Sequence, residues 1–491
     1  MTIEQDYFVN VVNAEPIPVT LGSENITITG DVNIGTTVSV TSTPEDPIHT
    51  HISEVGTSGI LTTPNIPISI QNAAGVETSE TNPVYVQGVS DASFFAPTQS
   101  DAFGRLRVSN PFTLYDLAHR YQDNGHVAVK TTGTATSAHD ANSSTINMTI
   151  GTANGDAVVR ETNRVFAYQP GKSLQILSTF CMNPAKTNLR QRVGYFDTNN
   201  GLYLERSNGT AYFVLRSSSA SGSPVERRIA QADWNQNTFG ALNLDRVQIL
   251  WYDIEWLGVG SVRCGFVVDG AFVHCHTFHN ANTEISTGVP LTTTYMGTAC
   301  LPLRTEIENT GVTASSSTLK AICASVISEG GFELRGRPQS VGHALNAART
   351  LSTTNTAYPI MSIRLKAGRD GAIILPKNFS FAPLNQANYQ WNLIQGITTG
   401  GAWVDAGSHS SVEYNLTATG IISTQFVYEQ GYVLATNQST ATPSTQVFPF
   451  AFQLERNTLS SPKLYYEFIL TASTTAQNPT VVASINWEEL T

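Results

Sequence analysis

Short runs in which apolar and polar residues alternate, closed by Gly, Asn, Asp or Pro, recur along this chain, and no other feature restricts its fold so tightly. Alternation puts every second side chain on one face, which suits a half-buried strand and does not suit a helix. The clearest case joins 262–268 to 271–278 through Asp269-Gly270, and Asp-Gly between apolar runs is the strongest short hairpin signal. A two-residue turn pairs Val268 with Ala271, Phe266 with Val273, Cys264 with Cys275 and Val262 with Thr277. Val262, Cys264, Phe266, Val268, Ala271, Val273 and Cys275 then form a core face. Arg263, Val267, Phe272, His274, His276 and Phe278 form the opposite one.

This hairpin ends in HCHTFH, residues 274–279, the side chains that bind zinc. On this register Cys275 and the histidines point opposite ways and cannot share a metal. His274 and His276 share a face and supply two ligands, with no third in view. The expectation is a mixed aromatic face, with Arg263 opposite His276, covered by another element, a neighbouring subunit or a ligand. Cys264 and Cys275 come within disulfide reach, at ~5.5 Å between Cα atoms. The chain has five cysteines, an odd number, and no CxxC. Reduced, packed thiols from a reducing cytosol are therefore expected.

Strands are also expected at 173–180, 193–196, 201–206, 211–216, 246–256 and 320–328, and one short helix at 113–121. Residues 333–340, with Gly336 and Pro338, read as a linker. Further strands are expected at 358–366, 372–375, 411–416, 421–428, 447–454, 463–471 and 481–487. Charged residues make up 13% of the chain, about half the usual share, which argues against helix surfaces rich in Glu and Lys. The fold class expected is all-β: an N-terminal extended β segment (1–95), a central jelly-roll sandwich (96–340) and a smaller C-terminal β-sandwich (341–491).

The first segment differs from the rest. Residues 1–104 hold twelve Asp or Glu and no Lys or Arg; the remainder holds 27 basic and 26 acidic residues. An acidic segment does not seek phosphate, so nucleic acid is not an expected partner; it is either a solvated surface that keeps the segment soluble or a dock for a basic partner surface. The pattern Pro–alternating apolar–Gly or Asn recurs at 16–22, 67–72 and 83–88. Its apolar residues are few and small, too few to fold alone. Such a segment makes sense wound with copies of itself or laid on another protein.

Within 246–256, Leu250, Tyr252, Ile254 and Trp256 share one face, and Trp251, Asp253 and Glu255 share the other. Two carboxyls beside a tryptophan could stand over a sugar, since retaining glycosidases need a pair ~5 Å apart. The first and last Glu of the jelly-roll glucanase pattern Glu-x-Asp-x-x-Glu are absent, so polar positions at a sheet surface are the plainer expectation. His49 and His51 are either solvated or, in a trimer, six imidazoles around an axis fit for an octahedral transition metal. Otherwise no cofactor is expected. No phosphate loop, dinucleotide fingerprint, nucleophile elbow or HExxH occurs, and no run of 18 apolar residues appears.

DAFGRLRVSNPFTLYD (101–116), ILWYDIEWLGVGSVRCGFVVDGAFVHCHTFHNAN (249–282) and ASVISEGGFELRG (324–336) resemble segments of virion structural proteins of tailed cyanophages. The hairpin also resembles concanavalin- and laminin-G-like sandwiches, and the leading segment resembles trimeric phage fibres and spikes, which use paired histidines around an axial iron. The resemblance implies a non-enzymatic, fibre-like or adaptor protein of the virion, made in the host cytoplasm. It implies a homotrimer that meets other phage proteins through residues 1–95. Two alternatives remain: a lectin-like receptor-binding fibre using Trp251, Asp253, Glu255, Arg263, Phe272, His274 and His276 on host glycan, and a polysaccharide depolymerase.

Overall fold

The computed structural model describes residues 111–219, 222–282, 292–435 and 452–490, with strand backbone alone at 89–90, 93–94, 284–286 and 289–290. The docking strands expected within 1–88, and His49 and His51 with them, lie outside the described residues. Phe94–Thr491 is a unit separate from Met1–Ser93. Among the described residues the chain is all-β, with three-residue 3-10 turns at Gln231–Asp233 and Leu345–Ala347.

Two antiparallel sheets make the central sandwich. One runs, in spatial order, Val225–Ala230, Thr210–Ser217, Gly201–Ser207, Leu189–Phe196, Leu303–Asn309, Ala157–Thr162, Val127–Thr132. The other runs Ala271–Phe278, Val262–Val268, Gln248–Ile254, Leu174–Cys181, Ser317–Ser328, Thr145–Ile150, Thr136–Asp140. Alternate residues of both sheets meet in one core: Leu202, Leu204 and Phe213 from the first, Leu250, Tyr252, Ile254, Val262, Cys264 and Phe266 from the second. Each large apolar side chain so buried contributes about 1.5–3 kcal/mol. Asp269 and Gly270 both take positive φ, +49° and +78°, as a type I′ turn between twisted strands demands. Asn208-Gly209 makes the same turn between the strands that end at Ser207 and begin at Thr210.

The residues read as a helix at 113–121 instead form the strand Phe112–Ala118, paired with Ser317–Ser328. Tertiary pairing overrides a local pattern too short to decide for itself. The residues read as a linker are also partly strand: Arg337–Gly342 pairs with Thr480–Leu490 and opens the C-terminal sandwich. There a six-stranded sheet faces the sheet built on Thr480–Leu490, around Ile363, Leu393, Phe379, Leu470, Ile485 and Trp487. Of the strand expected at 447–454, residues 447–451 lie outside the described residues and 452–454 are not strand.

A continuous seam joins the sandwiches. Val165 and Ala167 of the first pack on Ile373 and Leu375 of the second. Arg164 Nε donates to Glu455 Oε1 at 2.6 Å, His126 Nδ1 lies 2.6 Å from the same oxygen, and Gln395 Nε2 donates to Glu455 Oε2 at 3.0 Å. Burial by itself would raise the Glu455 carboxyl, but the His126 hydrogen bond and the Arg164 charge outweigh it and hold it at about 2. Phe426 stacks on His126, 4.6 Å between ring centres.

Candidate functional site

The 248–254 strand and the hairpin present three cross-strand rows on the face turned away from the core. Ile249, Val267 and Phe272 form the first, Trp251, Gly265 and His274 the second, and Asp253, Arg263 and Thr277 the third. The sequence alternation therefore brings Trp251, Asp253, Arg263, Phe272 and His274 together. Trp251 is buried, its Nε1 donating to Phe266 O at 3.1 Å, and it holds Phe272 edge-on at 5.5 Å and His274 at 5.8 Å. Phe272 stands 49% exposed, with Ile249 and Val247 also open to solvent. Arg263 donates to Asp253 Oδ2 at 2.5 Å, and His274 Nε2 lies 2.8 Å from Thr277 Oγ1. Burial lowers the His274 pKa. Glu255 lies beyond the end of the strand, its N–H donating to Ser261 O at 3.2 Å.

His276 is not part of this face. The expected pairing holds from the turn to Gly265–His274 and then slips by one residue, so that Cys264 faces His276 rather than Cys275, and Arg263 faces Thr277 rather than His276. A β-bulge at Cys275 causes the slip. Its cause lies outside the hairpin: the N–H groups of Gln236 and Asn237 both donate to Cys275 O at 3.0 Å, and Asn235 exchanges two bonds with the Thr277 backbone. The bulge turns His276 and Phe278 toward the packed side, and Phe278 joins the core instead of the open face. His276 is buried edge-on to Phe278 at 4.6 Å, and its Nδ1 accepts the Asn235 N–H at 3.2 Å. Burial, and then the charge of Arg227, press its pKa down to about 4. His274 and His276 therefore do not share a face. Among the described residues no group of three His, Cys, Asp or Glu could hold a metal. Cys264 and Cys275 are free thiols, and burial raises both pKa values.

A second constellation escaped sequence reading. On the seven-stranded sheet, the face turned from the core carries an unbroken chain of charge. Arg304 bonds Glu161 and Glu306, Arg192 bonds Glu306 and Glu205, and Arg228 bonds Glu205. The first five are buried because long side chains in cross-strand register lie over one another, and Arg192 and Arg304 lie over the Tyr203 and Phe196 rings of a small aromatic cluster on the same face. Burial pushes Glu306 up, but Arg304 and Arg192 outweigh it and hold its pKa low. The signal was present in LRQRVGYF and LRTEIEN, where charge rather than oil alternates. A search for apolar alternation passes over such strands.

No family model and no curated protein sequence matches the chain. Among solved structures it is similar to a Bacillus licheniformis β-glucanase, at 9% identity over 43% of this chain and 96% of that one, with a TM-score of 0.29. It is similar to the carbohydrate recognition domain of Emp47p, at 11% identity over 47% and 99% of the two chains, TM-score 0.27. It is also similar to the CBM2 module of the evolved Dit of Lactobacillus casei BL23 phage J-1, at 5% identity over 45% and 98%, TM-score 0.28. Likeness at these scores assigns no chemistry to this chain.

Proposed function

We propose that this chain is a non-enzymatic structural protein of a tailed-phage virion, a fibre-like or adaptor piece at the tail, baseplate, neck or capsid surface. It is made in the host cytoplasm and assembles as a homotrimer that docks on other virion proteins through residues 1–95. The phage-like segments 101–116, 249–282 and 324–336 support the setting. The observation that carries the self-assembly is the rim of the C-terminal sandwich. Gly420–Ala435 is a sixteen-residue strand at the end of its sheet order. Ile422, Val427 and Tyr432 stand 56–73% exposed along it, and Glu429 is its one charged residue. A lone domain usually shortens such a rim or arms it with lysine or proline, and a rim that is apolar and at the sheet edge among the described residues marks a contact surface. Native mass measurement on the full chain tests the reading: a trimer is expected, and a monomer at tens of micromolar overturns it.

One observation favours a second reading, glycan binding on the hairpin face. Phe272 and Ile249 offer an open apolar row, with the Asp253–Arg263 pair two rows along the same face, a layout suited to the C–H face of one sugar ring and the hydroxyls of the next. Glycan-array binding abolished by Phe272→Ala would establish it. Reducing-sugar release lost in Asp253→Asn or Glu255→Gln would instead make the protein a depolymerase.

A further inference from the structure

The seam holds an open cleft of about 320 Å³, at the low end of what ligand sites enclose and where such sites concentrate, between domains. Ala167, Ile373 and Leu490 give it an apolar floor, with Cys300 beside them. Its rim is cationic. Lys172 Nζ donates to Gln169 Oε1 at 3.1 Å and lies 3.9 Å from Glu333; Arg335 pairs with the same Glu333 and is 78% exposed. Among the described residues two cations therefore share one carboxylate, which leaves the rim one charge positive in a chain whose net charge is −11.

An apolar floor under a positive rim fits an acidic peptide that carries a large apolar side chain. The chain contains such a segment. Residues 1–93 have three aromatic residues, Tyr7, Phe8 and Tyr85, and Tyr7-Phe8 follows Glu4 and Asp6 with no Lys or Arg in the whole stretch. We propose that the cleft receives the Tyr7-Phe8 pair of a second copy of this chain, with Glu4 and Asp6 of that copy set over Lys172 and Arg335. The inference rests on the self-assembling reading above and supplies one of its contacts. A volume of this size admits one aromatic ring, and the two cations bring the acidic segment to the mouth before the ring seats.

A charge swap in the full chain tests it. Lys172→Glu with Arg335→Glu should weaken self-association about tenfold, the yield of two rim pairs, with the strand signal in circular dichroism unchanged. Glu4→Lys with Asp6→Lys should weaken it similarly. All four changes in one chain should restore it, which a merely structural role for either pair would not do. Added salt should weaken the unaltered assembly and leave the apolar Phe8→Ala defect in place. An oligomer indifferent to the cleft reversal, or broken by it and not rescued by the swap, overturns the contact and leaves the assembly reading standing. A monomeric unaltered chain overturns both.

Discussion

His276 shows how much one residue's chemistry depends on a neighbour far along the chain. Beside His274 in the sequence it looks like half of a pair; the loop at Asn235–Asn237 makes it a neutral, buried ring. Its folded pKa is about 4 against an ordinary 6.5. Between those values the unfolded chain binds a proton that the folded chain refuses, so stability is full above pH 6.5 and falls as pH drops toward 4. His119, also held at about 4 by its burial and the Arg160 charge, adds to the same slope. Urea midpoints from pH 7 to pH 4 should fall in the unaltered protein and fall less steeply in His276→Gln. An unchanged slope would show that the ring titrates normally.

At the scale of the element, the hairpin separates what its turn requires from what its packing requires. Gly270 has φ +78° and open space where a Cβ would go, so Gly270→Ala should cost only the left-handed strain, about 1–2 kcal/mol. Gly265 sits at the register slip, where a Cβ would lie 1.9 Å from Val273 O. Gly265→Ala should cost more, about 3 kcal/mol, because backbone rather than a flexible side chain must move. Denaturant unfolding of the two variants should rank them in that order. The turn was legible because Asp-Gly has few alternatives between apolar runs. The bulge had one local signal, the isolated Gly265 inside the strand, but the contacts that place it come from the loop at 235–237. The charged ladder shows the complementary loss: Arg192, Glu205 and Glu306 are ordinary surface residues in sequence, and only cross-strand register makes them neighbours.

For the whole molecule, the seam decides whether two sandwiches behave as one body. Glu455 is fully buried against Arg164 and His126 and is the hub of the polar part of that seam. Glu455→Ala should cost about 3–5 kcal/mol, since it leaves the Arg164 guanidinium buried without its carboxylate. The loss should appear as separation of one unfolding transition into two; a single unshifted transition would mean the apolar contacts suffice alone. The Glu455 contribution to stability is full above its ordinary carboxylate pKa and disappears as pH falls toward about 2, below the window in which His276 acts.

Alternation and turn chemistry are local, so the sequence determined by itself that this chain is made of strands, where many of them turn, and that Leu250, Tyr252, Ile254, Val262, Cys264 and Phe266 face a core. Strand pairing, bulge placement and the burial of charge are energies between residues tens to hundreds of positions apart. Only the tertiary structure could decide that Phe112–Ala118 extends, that His276 turns inward, and that Glu455 fastens one sandwich to the other. Each of those choices is settled by a partner that the local pattern does not contain.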